Sequence, residues 1–206
     1  MLKIWGRRNG LNVQKLMWCV TELGLEYERI DHGGPFGGND ADWYLAMNPN
    51  GLVPTIWDDG FVLSESNSII RYLSEKHGRG GLWSEDIQAR AIASKWMDWQ
   101  LGTLIKSVMP IFYSLIRTAP EDRDQSALNE AIDLAAVQFG ILDQQLSKTP
   151  FIAGKALSMG DIPVGVLTYR WFNLDIARPE VPHVEAWYAR LQQRPGYCEH
   201  VMLALT

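Results

Sequence analysis

The sequence predicts a small α/β domain followed by an all-helical one, and two observations carry that prediction. Strand-like and helix-like patterns alternate as β-α-β-α-β-β-α through the first part of the chain. After the glycine-rich break "HGRGGLWSED", His77 to Asp86, strand signals vanish and every apolar recurrence has helical spacing. The expected units are residues 1–77, a linker over 78–86, and a helical domain over 87–206.

Leu2 to Gly6 reads as a strand. Val13, Leu16, Met17, Val20 and Leu23 then recur on one helical face until Gly24 offers a stop. Glu26 to Ile30 is a second strand, "HGGPFGGND" a loop, and "DADWYLAMNPN" a short helix ending in a turn. Pro54–Trp57 and Phe61–Leu63 flank "DDG", a hairpin signal, and Ser66 precedes Ile69, Ile70 and Leu73 at helical spacing. Downstream, Ile92, Trp96, Trp99, Leu104, Val108, Phe112 and Leu115 mark one long helix, and Leu128 to Leu146 a second. "SMGD", Ser158 to Asp161, has the form of a capping box, with the serine accepting from the third helical N–H and the aspartate reaching back. Val184, Trp187, Tyr188 and Leu191 supply a further stripe.

Composition excludes several functions. No apolar run approaches the roughly 20 residues of a membrane span, and nothing reads as an export signal. Cys19 and Cys198 lie far apart without a CxxC pair, which argues against a disulfide framework or zinc site and points to a reducing, cytoplasmic setting. Cys19 reads as a small core residue. The four histidines have no metal-ligand spacing, so no metal is expected, and His32, in the glycine-rich loop, is expected at the surface. A net charge of −5 with no long Lys/Arg run gives nucleic acid no electrostatic purchase.

The stretch "GLVPTIWDDGFVLSES", Gly51 to Ser66, carries the chemistry. Pro54 stands at the threshold of a strand, where it is either an ordinary trans turn residue or a cis residue that leaves flanking backbone groups free to pair with a peptide. "SES" opens a helix. The free N–H groups at Ser66 and Asn67 with the helix dipole suit a carboxylate and Glu65 suits an ammonium group, or else these residues simply cap the helix.

"NPNGLVPTIWDDGFVLSESNSIIRYL" resembles the signature of the glutathione transferase family, and "RRNGLNVQKLMWCVTELGLEYE" and "FIAGKALSMGDIPVG" resemble its first loop and helix and its helical-domain capping box. The resemblance implies a thioredoxin-like first domain, glutathione as co-substrate, a small apolar electrophile as second substrate, and a homodimer. It also implies that Val53 pairs its backbone with the cysteinyl part of glutathione, that Pro54 is cis, and that Glu65 and Ser66 hold the γ-glutamyl end.

Two positions depart from the family. The hydroxyl that activates the thiol in serine-type members would fall at Leu11. Asn12 instead matches the asparagine of the bacterial nu-like class. Lowering a thiol pKa by two units takes about 2.7 kcal/mol, and one hydrogen bond to a charged group supplies about 1.5–3 kcal/mol, so a carboxamide suffices. The other reading makes Asn12 the N-cap of its helix. Leu52 stands where many members have lysine, leaving Arg7, Arg8 and Lys15 to meet the glycine end, with Gln14 a further candidate. The wall for the electrophile is sought among Trp99, Phe112, Tyr113, Tyr169 and Trp171, with Arg117. Regular helical spacing favours core packing for such residues, while Tyr113 and Arg117 fall late in the long helix, near the region that lines this pocket in the family. Within the resemblance, the alternatives to transfer are glutathione-dependent disulfide reduction and non-catalytic regulatory binding.

Overall fold

A computed structural model describes all residues, Met1 to Thr206. Its elements are β1 (Leu2–Trp5), α1 (Leu11–Glu22), β2 (Tyr27–Ile30), α2 (Asp42–Met47), β3 (Thr55–Asp58), β4 (Phe61–Ser64) and α3 (Ser66–His77), then α4 (Ile87–Trp99), α5 (Ile105–Phe112), α6 (Gln125–Leu146), α7 (Asp161–Asn173), α8 (Pro182–Leu191) and α9 (Pro195–His200). The four strands form one sheet in the order β2-β1-β3-β4, with β2 parallel and β3 antiparallel to the central β1. This is the thioredoxin-like half, and the helices after it form the all-helical half. The β3–β4 hairpin turns through Asp59 and Gly60, both at positive φ (50° and 91°), as a tight hairpin turn requires.

Alternation in β1 sends Leu2 and Ile4 inward. There they meet Val13, Leu16 and Val20 of α1, Ile56 of β3, and Ile69 and Leu73 of α3 in the smaller of two cores. The larger core belongs to the helices but takes in Trp18 and Cys19 of α1 and Ile70 of α3, so α1 and α3 each face both halves. Gly165 of α7 makes the close approach possible: a Cβ there would come within 3.0 Å of the Trp18 ring.

The expected long helix is continuous but not uniform. Five-residue π-helical segments, Gln100–Leu104 and Tyr113–Arg117, flank α5, which also contains Pro110, a residue with no N–H for the helical ladder. The capping box also differs from expectation. The aspartate does reach back, Asp161 Oδ2 accepting from Ser158 N–H at 2.8 Å, but α7 begins at Asp161. The Ser158 hydroxyl therefore donates to that same carboxylate instead of accepting from the helix.

Candidate functional site

A cleft of about 680 Å³ runs between the two halves. One wall comes from the sheet half, with Arg7, Asn12, Asn39, Leu52 and Val53. The other comes from α5 and the turn after it, with Ile105, Lys106, Met109, Pro110 and Tyr113. At its foot a small recess is bounded by Asn48, Pro54, Glu65 and Ser66. Asn12, Leu52 and Val53 line both cavities.

The Val53–Pro54 peptide is cis, and β3 begins only at Thr55. Val53 therefore stands outside the ladder, and neither its N–H nor its C=O has a partner within the protein. The preceding carbonyl is held hard. Leu52 O accepts from Tyr44 Oη at 2.6 Å and from Asn48 Nδ2 at 2.7 Å. Asn48 Nδ2 also donates to Thr55 Oγ1 at 3.1 Å, and the Thr55 hydroxyl lies 2.9 Å from Tyr44 Oη, closing a ring of four groups. Tyr44, Asn48 and Thr55 are buried. A trans peptide unit is planar with C=O and N–H opposed, so pinning the Leu52 oxygen inward turns the Val53 N–H outward.

Glu65 adopts φ 69°, ψ 106°, an uncommon conformation for a residue other than glycine that costs about 1–3 kcal/mol. It holds an exposed carboxylate immediately before α3, whose first N–H groups, from Ser66 onward, lack intrahelical acceptors. A negative group thus sits beside a helix N-terminus, the pairing that suits an ammonium and a carboxylate on one ligand. Just behind, Asn67 Nδ2 donates to Met97 O at 2.9 Å and ties the start of α3 to the helical half.

Asn12 is not a cap. The N-cap of α1 is Gly10, and Asn12 is the second helical residue. Its Oδ1 is sealed without a partner, while Nδ2 has no protein acceptor and is not sealed, leaving a free donor at the junction of cleft and recess. Arg7 lines the cleft, whereas Arg8 turns away to Glu199 O.

Several sequence expectations are corrected here. Lys15 does not reach the cleft. One turn into α1 it is wholly buried, with Nζ donating to Gln100 Oε1 at 3.0 Å. Burial, reinforced by the nearby Arg170 and partly offset by Glu65, pulls its pKa down to about 7. Gln14 is likewise buried and accepts from Arg170 Nη2. Trp171 is fully buried, stacked on Phe139 at 4.5 Å, and belongs to the helical core. Phe112 is also core, with the guanidinium groups of Arg170 and Arg117 5.6 and 5.9 Å from its ring centre. Arg117 donates to the Thr206 carbonyl, and Trp99 and Tyr169 lie outside the cleft. Of the expected wall only Tyr113 lines the cavity. His32 is buried, its ring 4.0 Å from that of Tyr44. Cys19, buried as expected, has its thiol pushed up to about 12 by burial, and neither cysteine lines the cleft.

Sequence reasoning missed Asn39, Tyr44, Asn48 and the α5 wall. Counting back from Tyr113 by helical steps reaches Met109, Lys106 and Ile105, a signal available in the sequence. No such signal marks Asn39, which a loop brings to the cleft with its Oδ1 sealed and unpartnered.

Comparison with known proteins bears on the family and the fold. The family profile described as "Glutathione S-transferase, N-terminal domain" matches residues 11–76, and "Glutathione S-transferase, C-terminal domain" matches residues 104–195. Glutathione S-transferase GstB of Escherichia coli K12 is 40% identical over the full length of both chains. The crystal structure of the theta class glutathione S-transferase from Xanthomonas axonopodis pv. citri with glutathione bound superposes with a TM-score of 0.95 at 43% identity, covering 100% of this chain and 99% of that one. Glutathione transferase F7 of Populus trichocarpa, at 23% identity and a TM-score of 0.85, shares the fold. With both profiles matched and a full-length relative at this identity, the chain belongs to the glutathione S-transferase family.

Proposed function

We propose that this protein is a glutathione transferase that binds glutathione as co-substrate in the recess and along Val53, and presents its sulfur as thiolate to an electrophile in the cleft. The observation that carries the reading is the unpaired backbone of Val53 next to the N-terminus of α3. The cysteinyl unit pairs with Val53 like an added strand, its edge shaped by Pro54. The γ-glutamyl carboxylate meets the N–H groups at Ser66, its ammonium meets Glu65, and the glycyl carboxylate lies toward Arg7. The thiol gives its proton to solvent. Asn12 Nδ2 donates to the resulting thiolate, assisted by the dipole of α1. Residues 1–77 thus hold glutathione, 78–86 connect, and 87–206 supply the apolar wall for the electrophile through Met109, Pro110 and Tyr113. No observation favours disulfide reduction or regulatory binding.

A homodimer, a cytoplasmic setting and a role in detoxification extend this reading. The sequence resemblance supports the homodimer and the detoxifying role, and the two distant cysteines without a CxxC pair support the reducing setting. No helix is long and apolar enough to cross a membrane.

The test is a pH titration of the thiolate absorbance of glutathione bound to the wild-type protein and to Asn12→Ala. The bound thiol should titrate below free glutathione in the wild type and return one to two units upward in the variant, with kcat/KM falling roughly 10–100-fold. An unchanged bound pKa in Asn12→Ala would remove Asn12 from the mechanism.

A further inference from the structure

The protein as a whole is anionic, with a net charge of −5, yet the cleft is not. Its lining includes two cations, Arg7 and Lys106, and no aspartate or glutamate. Neither cation forms an ion pair within the protein. The two stand on opposite walls. Arg7 belongs to the sheet half that receives glutathione. Lys106 belongs to α5, among the side chains that face the electrophile, and its neighbours one helical turn away on either side are Gly102, Thr103, Met109 and Pro110, none of them acidic. An unpaired ammonium on the rim of an otherwise apolar wall is a specificity element: it leaves a neutral substrate to the apolar surface and adds an attraction for an anionic one.

We propose that the electrophiles this enzyme prefers carry a carboxylate, seated at Lys106, on an apolar body that lies along Met109, Pro110 and Tyr113. This rests on the transferase reading above and assigns the chemical class of its second substrate. With an aryl chloride the step is substitution. The glutathione thiolate attacks the ring carbon that bears chlorine, the C–S bond forms, the C–Cl bond breaks, and chloride leaves with the bonding pair. The thiol proton has already gone to solvent. Lys106 takes no part in bond-making and acts through the position of the carboxylate.

The experiment compares para-chloro-meta-nitrobenzoate with para-chloro-meta-nitrobenzamide. These are nearly equal in size but differ in charge. The kcat/KM of each is divided by its uncatalysed rate with glutathione to remove the difference in intrinsic reactivity. The wild type should favour the carboxylate about five-fold, the scale of one partly exposed ion pair. Molar salt should shrink that preference, because screening weakens an exposed pair. Lys106→Gln should abolish it and Lys106→Glu should reverse it, both through the KM of the aryl substrate and with the KM for glutathione unmoved. A wild type that turns over both compounds without preference, or a preference that survives Lys106→Gln, overturns the proposal and leaves the transferase reading standing. A change in the KM for glutathione instead of the aryl KM reassigns Lys106 to glutathione and also overturns it. Absence of thioether from both compounds removes the transferase reading and this inference together.

Discussion

Tyr44 touches neither cavity, yet it helps to orient the Val53 N–H on which the proposed glutathione site depends. Its hydroxyl and the Asn48 carboxamide share the Leu52 carbonyl, and that carbonyl sets the direction of the Val53 N–H. Removing only the hydroxyl, in Tyr44→Phe, loosens the peptide plane without emptying the core. The KM for glutathione should rise about five-fold with kcat nearly unchanged, the pattern of lost uniform binding. Urea unfolding should show a loss of about 1–2 kcal/mol. A lower stability with an unaltered KM would make the ring of hydrogen bonds purely structural. Asn12 works differently. In the proposed mechanism its free Nδ2 donates to the thiolate, so its substitution should act on the thiol pKa and on kcat/KM.

At the scale of elements, α7 is anchored by one carboxylate. Asp161 accepts from Ile152 N–H at 2.9 Å, from Ser158 N–H and its hydroxyl at 2.8 Å each, and from Trp187 Nε1 at 3.0 Å. These bonds join the 151–158 loop, the start of α7 and the middle of α8. Asp161→Ala would strand two buried backbone donors and the indole N–H. It should cost about 3–5 kcal/mol, read as a lower urea midpoint at unchanged m-value. A loss under about 0.5 kcal/mol would show the loop held by its apolar contacts instead. The "SMGD" spacing announced that this aspartate reaches back. It could not announce the loop and indole partners, which come from 9 and 26 residues away. The two π segments around α5 were equally hidden, since a 3.6-residue apolar stripe reads the same through them.

At the scale of the whole molecule, the two halves are stitched by buried polar groups as well as by α1 and α3. Lys15 donates to Gln100, and Arg170 to Gln14. Lys15 folded holds its proton only below about pH 7, against an ordinary value of 10.5, so between those values the folded state binds fewer protons than the unfolded chain. Stability from this group therefore rises as pH climbs from about 7 to 10.5, by up to about 1.4 kcal/mol per unit, and is lost as pH falls through 7. Urea midpoints of wild type and Lys15→Met, compared at neutral and alkaline pH, should show the variant with the shallower slope. Equal slopes would mean that Lys15 keeps its charge inside the fold.

The same scale separates what was legible in the sequence from what was not. The α/β-then-helical order was readable because its signals are local, and the Val53-to-Ser66 stretch stood out as a candidate site for the same reason. Its residues alone left Pro54 cis or trans and Glu65 and Ser66 as ligand-holding or capping, and the family resemblance supplied the choice. Proline, a positive-φ turn and a helix start place backbone groups within a dozen or so residues, and side-chain alternation assigns strand and helix. Which helical side chains face the cleft was decided by the tertiary structure alone. Trp171 and Tyr113 share aromatic character and helical setting. One is sealed against Phe139 and the other opens to the cavity because of how α5 lies against the sheet half. Lys15 makes the point most sharply. On the sequence it belongs to a basic first loop, and in the fold it is buried against a glutamine 85 residues away. Chain periodicity says which residues share a face, and only packing says what that face meets.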